Sequence, residues 1–367
     1  MIKFEQVTKQ YPGTDVPAVD NLNLHINQGE ICILVGPSGC GKTTTMKMIN
    51  RLIEPTKGKI FVNGQDISQI NPIELRLNIG YVIQEIGLFP HMTIEENIAT
   101  VPLEKGWDKE RIKLRVDEML NLVELDPETY RGRRPADLSG GQRQRVGVAR
   151  ALAADPPVML MDEPFGALDP ITRSRLQNEF LRVQEKIKKT IVFVTHDIDE
   201  AIKMGDKICV MKEGKAVQFS SPEEILSSPV NEFVENLVGG NRMLKLLNLI
   251  KCSESMHDAA KINAHAKLQE AKQVMDQQGT ETIAVIDNGG HLVGWVKRKD
   301  IDGKSTGKVG DFIRPLETTV DGKTSLNDAL SEMFNIGQRF VYVVDGQKRL
   351  QGLIRIKDIL EAVSDSD

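Results

Sequence analysis

The chain opens with apolar residues on alternate positions. Ile2, Phe4 and Val7, then Leu22, Leu24 and Ile26, recur at strand spacing on either side of the turn Tyr11-Pro12-Gly13, which predicts an antiparallel pair. Ile31-Cys32-Ile33-Leu34-Val35 is a continuous apolar run, the pattern of a strand buried on both faces. A glycine-rich stretch follows, and then a helical pattern over 44–53 with Met46, Ile49, Leu52 and Ile53 on one face. Further strands are predicted at 60–63, 79–83, 158–161, 191–195, 207–211 and 216–219. Helices are predicted over 108–124, from Gly140 to about 153, over 172–188 and over 197–204, with two short ones within 222–238. Apolar strands alternating with amphipathic helices make an α/β domain with a parallel sheet.

The chemistry collects where these strands end. Gly36-Pro37-Ser38-Gly39-Cys40-Gly41-Lys42-Thr43, with Thr44 after it, lies between a buried strand and a helix start. Glycines let backbone N–H groups turn toward an anion, and the helix start adds unpaired N–H groups. Lys42 can then reach β- and γ-phosphates, and the Thr43 hydroxyl can ligate Mg²⁺. Asp162 and Glu163 end the 158–161 strand; there Asp162 suits Mg²⁺ through water and Glu163 suits orienting and deprotonating a water. His196 ends the next strand, within reach of a γ-phosphate, and Gln84 ends the 79–83 strand, where a carboxamide can touch Mg²⁺ or the attacking water. Ser139-Gly140-Gly141-Gln142 opens a helix with a hydroxyl and bare amides, a second anion site. Asp169 follows in a tight turn. Tyr11 is read two ways, as a base-stacking ring or as a packing residue. Ile86, Leu88, Phe89 and Met92 are read as core, with a groove for a partner's helix as the alternative.

Tyr11, Gly36 to Thr43, Gln84, Leu138 to Gln142, Asp162-Glu163, Asp169 and His196, in that order, resemble an ATP-binding-cassette ATPase over roughly residues 1 to 240. The resemblance implies a P-loop NTPase with a RecA-like core, an antiparallel β-subdomain and a helical subdomain. It implies a head-to-tail homodimer, each ATP lying between one chain's cradle and the other chain's Ser139-Gly140-Gly141. Tyr11 then stacks on adenine, Gln142 and Asp169 join the nucleotide site, and Gln84 becomes the lever to a transmembrane permease. One departure is Gly166, where a serine is common.

At 367 residues the chain is too long for one ordinary domain. Its net charge of −5 gives no reason to expect nucleic acid. The four cysteines show no paired spacing, which fits a reduced, cytosolic compartment; Cys40, inside the cradle, is a candidate for alkylation. No apolar run is long enough for a bilayer, and the strand-like first residues do not read as a secretory signal.

Beyond a linking segment, 241–254, whose leucines suggest a docking helix, the sequence repeats itself. Leu268, Ala271, Met275, Gly279, Val285, Asp287, Gly294 and Asp300 recur as Leu326, Ala329, Met333, Gly337, Val343, Asp345, Gly352 and Asp358. Each copy (255–314 and 315–367) reads as helix, strand, turn, strand, helix, and the two should pack as a unit. The pattern resembles a tandem pair of CBS modules, an α+β pair. Lys297 and Arg355 stand where such modules usually carry a Ser or Thr for ribose, which disfavours ordinary AMP or ATP. Lys297, Arg298, Lys299, Arg355 and Lys357 could meet an anionic lipid surface or a cyclic dinucleotide, or could form a solvated edge.

A cassette followed by two CBS modules most resembles the ATPase subunit of importers for glycine betaine, carnitine or choline, working at the cytosolic face of a permease pair fed by an extracytoplasmic substrate-binding protein. Two alternatives are an importer ATPase for another solute, such as an amino acid, and a soluble cassette ATPase of DNA repair or translation. The single cassette, the absence of a long coiled-coil insertion and the absence of basic bias speak against the second.

Overall fold

The computed structural model describes residues 1–83, 87–166 and 168–364, so the expectations for Gln84 and Ile86 lie outside the described residues. The chain forms two compact units, Met1–Ile225 with Pro229–Gly239, and Leu226–Ser228 with Gly240–Asp367.

The first unit begins with β1 (Ile2–Lys9), β2 (Val19–Ile26) and β3 (Ile31–Val35), then α1 (Lys42–Ile49), β4 (Lys57–Val62), β5 (Gln65–Asp66), α2 (Pro72–Leu77) and β6 (Ile79–Val82). Helices α3 (Ile94–Glu104), α4 (Lys109–Leu122), α5 (Pro127–Tyr130) and α6 (Gly140–Leu152) follow. Then come β7 (Val158–Asp162), α7 (Pro170–Ile187), β8 (Thr190–Thr195), α8 (Ile198–Met204), β9 (Lys207–Lys212), β10 (Lys215–Ser220), α9 (Pro222–Ser227), whose last two residues count with the second unit, and α10 (Glu232–Val238). Four strands make an antiparallel sheet ordered β2-β1-β4-β5, and six make a second sheet ordered β10-β9-β3-β8-β7-β6. Every residue of β3, β7 and β8 is buried, which is why all three read as apolar runs rather than alternating ones. Ile2, Phe4, Leu24 and Ile26 of the small sheet share one core with Cys32, Leu34, Val192 and Val194 of the large one.

Register decides where the chemistry goes. Val35 pairs with Thr195, and Asp162 pairs with Val194, all in parallel. The ends of β3, β7 and β8 are therefore level, and Gly36, Glu163 and His196 leave the sheet at one edge. The helix after the cradle is shorter than its apolar pattern predicts. It stops at Ile49, Arg51 takes a left-handed φ of 53°, and Leu52 is exposed. Arg51 instead sends its guanidinium to the carbonyls of Ile67 and Ile70, which turns the chain out of the helix.

The second unit holds α11 (Arg242–Leu249) and α12 (Cys252–Ser255), then the two copies. The first is β11 (Lys261–Asn263), α13 (Leu268–Gln278), β12 (Thr282–Ile286), β13 (Leu292–Lys297) and α14 (Arg298–Ile301). The second is β14 (Val320–Asp321), α15 (Leu326–Asn335), β15 (Phe340–Val344), β16 (Leu350–Arg355) and α16 (Ile356–Ser364). Each copy carries a short leading strand, parallel to its neighbour, that the repeat pattern does not predict. The linking segment is not a free docking helix, because Leu247 and Cys252 lie in the core of the second copy. Ala284, Leu292, Trp295, Tyr342 and Val344 form a shared apolar layer between the copies.

The repeated glycine has a packing role. The segment before each copy crosses to the other copy's sheet, His257 pairing with Leu353 and Arg314 with Trp295. A Cβ on Gly294 would lie 2.5 Å from the Arg314 carbonyl oxygen, and one on Gly352 would lie 2.8 Å from that of His257. Only glycine admits these crossings without movement.

Candidate functional site

The cradle is shaped by close approach of backbone to backbone. A Cβ on Gly36 would stand 2.1 Å from the Met211 carbonyl oxygen, and one on Gly41 would stand 2.3 Å from that of Ala18. Both glycines also have left-handed φ, as does Gly39. Pro37, Ser38 and Gly39 form an exposed lip, and Cys40 is buried beneath it. The first amides of α1, at Lys42, Thr43 and Thr44, point from the helix start with no carbonyl four residues back to meet them.

Lys42 is folded across this opening. Its Nζ donates to the carbonyls of Gly36 at 2.7 Å and Pro37 at 3.0 Å, and the residue is 7% exposed. Those bonds keep a buried cation hydrated by backbone oxygen, and a phosphate can replace them. Burial raises the Cys40 thiol above its ordinary value despite nearby Lys42. A covered, protonated thiol is a poor alkylation target, so the expectation of a reactive Cys40 is corrected.

Thr43 Oγ1 donates to Asp162 Oδ1 at 3.1 Å. Burial pushes the Asp162 carboxyl up, opposed by the Thr43 hydrogen bond and by Lys47 and Lys42. A desolvated carboxylate beside a hydroxyl, next to an anion cradle, is a hard-oxygen donor pair of the kind Mg²⁺ takes together with phosphate oxygens. Glu163 sits in the left-handed region at φ 44°, with its N–H on the Val194 carbonyl at 3.0 Å. That conformation is costly for a side chain with a Cβ. It turns the carboxylate to the open edge of the sheet, where Oε1 lies 3.3 Å from Nδ1 of His196. Lys42, Thr43, Asp162, Glu163 and His196 thus converge on one edge. Tyr11 is 39% exposed, and Lys9 lies over its ring at 5.2 Å.

Ser139 to Gln142 form a separate, self-contained start to α6. Ser139 Oγ accepts from the Gln142 N–H at 3.3 Å, and Gln142 Oε1 accepts from the Ser139 N–H at 2.9 Å, a reciprocal cap. Gln142 Nε2 also donates to the Tyr130 hydroxyl at 2.9 Å. The nearest neighbours of Gly140 and Gly141 outside their own turn are Leu168, Thr172 and Leu176, on and beside α7. Asp169 caps that helix through the Thr172 N–H at 3.1 Å. Tyr130 gave no signal in the sequence, because it meets Gln142 across a loop with no motif spacing.

One apolar expectation is corrected. Leu88 and Met92 are half-buried and Phe89 is exposed, so this stretch is not core. The buried Asn97 ties down its backbone, accepting from the Phe89 N–H at 2.8 Å and donating to the Phe89 carbonyl at 3.1 Å. The Phe89 ring instead lines a cleft with Arg76, Tyr81, Ile83 and Arg150.

Comparison with known proteins assigns the first unit and the repeat to two families. Residues 19–166 match the ABC transporter family, and residues 253–304 and 309–365 each match the CBS domain. The osmoprotectant import ATP-binding protein OsmV of Salmonella typhimurium is 49% identical over 359 residues, which is 96% of this chain and 94% of OsmV. The chain belongs to the ABC transporter ATP-binding proteins, in the osmoprotectant-import group. The glycine betaine/carnitine/choline transport ATP-binding protein OpuCA of Bacillus subtilis is 48% identical over 370 residues, covering 100% of this ABC protein and 97% of OpuCA. A solved dimeric ATP-binding cassette, in a post-hydrolysis state bound to ADP and Pi, superposes with a TM-score of 0.54 at 35% identity, covering 60% of this ABC protein and 99% of the cassette. The first unit is thus an ATP-binding cassette ATPase. Among the described residues no helix is long and apolar enough to cross a membrane.

Proposed function

We propose that this chain is the ATP-hydrolysing subunit of an importer for quaternary ammonium osmoprotectants such as glycine betaine, carnitine or choline. The observation that carries this reading is likeness at 48–49% identity, along 96–100% of the chain, to import ATPases named for those solutes. The likeness includes the CBS pair as well as the cassette.

In this reading Gly36 to Thr44 hold the triphosphate, with Lys42 moving from the Gly36 and Pro37 carbonyls onto the β- and γ-phosphates. Thr43 and Asp162 hold Mg²⁺, which neutralises phosphate charge; Gln84 is assigned to the same ion and to the attacking water. Tyr11 stacks on adenine. Glu163 takes a proton from the water as its oxygen attacks the γ-phosphorus, and the bridging oxygen leaves with ADP. His196, oriented by Glu163, donates a hydrogen bond to the γ-phosphate, where charge builds. Ser139, Gly140, Gly141 and Gln142 close over the ATP of a second copy, Asp169 lies at the same junction, and a homodimer results. The cleft beside Phe89 receives a helix of the permease, which places the chain at the cytoplasmic face of the membrane.

The CBS pair regulates the motor in this reading. Two of the five clustered cations are engaged within the pair, Arg298 with Asp276 and Arg355 with Asp358. Lys297, Lys299 and Lys357 stay exposed and are the candidates for an anionic lipid or a cyclic dinucleotide. The decisive experiment reconstitutes the chain with its permease and binding protein in liposomes. ATP-dependent uptake of labelled glycine betaine, carnitine or choline is then measured across a salt series. Uptake of none of them, with turnover on an amino acid instead, removes the solute assignment; co-purification with DNA or ribosomes rather than a permease removes the transporter.

A further inference from the structure

Two of the catalytic turns are held by one helix. Arg173 lies on the first turn of α7, directly after Asp169, and its guanidinium has two distant partners. One nitrogen donates to the Leu168 carbonyl at 3.1 Å, and the other lies 3.7 Å from Asp197 Oδ2. Leu168 is the residue before Asp169, and Asp197 is the residue after His196. Asp197 in turn fixes the chain around His196. Its N–H donates to Thr195 Oγ1 at 3.1 Å, and its Oδ1 caps α8 through the amides of Asp199 at 2.9 Å and Glu200 at 3.3 Å.

A second contact from α7 supports the other flank. Gln177, one turn on and buried, donates to Glu200 Oε1 at 3.0 Å and accepts from Lys203 at 3.1 Å. Glu200 is buried too; burial raises its carboxyl, while hydrogen bonds from Thr195 and Gln177 and the charge of Arg173 act against that rise. Of the residues flanking His196, Asp197 is therefore tied to α7 directly by Arg173, and Thr195 through Glu200 and Gln177. The His196 side chain itself is 61% exposed and lies 3.3 Å from Glu163, so its placement depends on that carboxylate and on the backbone those anchors hold.

We propose that Arg173 is a positioning residue that couples the Asp169 turn to His196. A displacement of the Leu168 carbonyl, such as a second copy would cause by pressing on the Asp169 turn, moves the guanidinium and with it the strand end that carries His196. An arginine is needed because its planar fork reaches a carbonyl and a carboxylate from one stem; a lysine offers a single point charge. The proposal rests on the reading given above for His196 and for the Asp169 turn.

The test is steady-state ATPase kinetics on the full chain with Arg173→Ala, Arg173→Lys and, separately, His196→Ala. R173A is expected to lower kcat about tenfold, leave KM for ATP and the melting temperature within about twofold and 2 °C of the parent, and reduce the Hill coefficient for ATP toward one. R173K, which keeps a cation near Asp197, is expected to recover part of the rate. Wild-type kcat and cooperativity in R173A overturn the proposal. So does a joint loss of melting temperature and nucleotide binding, which would mark Arg173 as merely structural, and so does equal damage in R173K and R173A. Wild-type turnover in H196A overturns the assignment of His196 instead, a failure read independently of Arg173.

Discussion

Both units carry carboxylates at or within one turn of a strand's end, but they leave them in opposite states. In the nucleotide unit Asp162 is desolvated, with the Thr43 hydroxyl bonded to it and the charges of Lys47 and Lys42 acting from nearby, and Glu163 is held in a strained conformation aimed at the open edge of the sheet. In the repeat unit Asp300 and Asp358 lie in the first turns of α14 and α16, and each is gripped by two nitrogens of one arginine, Arg314 at 2.6 and 2.7 Å and Arg355 at 3.0 and 2.9 Å. The first pair carries cost that a ligand relieves; the second pair is already complete. Stored strain and desolvation mark a site of chemistry, whereas carboxylates gripped by an arginine mark structure or a surface that waits on something else.

The largest expected effect comes from removing the strained acid. Glu163→Gln keeps the side chain's shape and its neighbours but cannot accept a proton. Turnover should fall by about a thousandfold, with ATP still binding at parental affinity by equilibrium dialysis. Near-parental turnover would show that the strain at Glu163 serves something other than water activation. Next in size is Ser139→Arg, which puts a long cation on the cap of α6. ATP-induced dimerisation, followed by light scattering in the Glu163→Gln background, should disappear while nucleotide binding by the single chain persists. If dimers form as before, the face around Ser139 does not close on a second copy.

Much of this unit was legible because its signals are local. The cradle is eight consecutive residues, and Asp162, Glu163 and His196 sit directly at the ends of unbroken apolar runs. Less visible is anything that depends on two segments meeting. The left-handed φ of Glu163 is imposed by the Val194 carbonyl on the neighbouring strand, and Arg173 reaches Asp197 from another helix. The three residues of β11 and two of β14 are too short to show any period. Phe89 read as core because it is apolar and flanked by apolar residues; Asn97, eight residues on, helps fix the backbone so that the ring stays outside.

Burial raises the Asp162 carboxyl, so the folded chain favours its neutral form. Its favourable contribution is fully present below the ordinary carboxylate range and is lost as pH rises through its raised value in the fold. At neutral pH the ionised group therefore costs stability in the nucleotide-free chain. Asp162→Asn should raise the melting temperature of that unit by about 2 °C and flatten its pH dependence on the acid side, while abolishing Mg²⁺-dependent turnover. A lower melting temperature would mean that the Thr43 bond outweighs burial.

The one comparison without a consequence for turnover separates the two repeat carboxylates from each other. Asp358 is 1% exposed at its side chain and Asp300 is 25% exposed, although the repeat makes them equivalent. Both arginines are open to water, so the difference lies on the acid side. At Asp358 the substitution leaves a buried amide in place of a carboxylate that accepts from the Arg355 backbone N–H and guanidinium, whereas water replaces what is lost at Asp300. In differential scanning calorimetry of the full chain, Asp358→Asn should lower the transition of the second unit by roughly 5 °C or more, and Asp300→Asn by no more than about 2 °C. The Asp300 loss should also depend on pH in a fixed direction. Arg314 holds its carboxyl below the usual range, so its contribution is present above the ordinary carboxylate value and fades as pH falls through the lowered one. The parent and Asp300→Asn should therefore converge in acid. If they diverge there instead, or if the two substitutions cost the same at neutral pH, burial is not what distinguishes the copies, and the completed state of both ion pairs loses its physical basis.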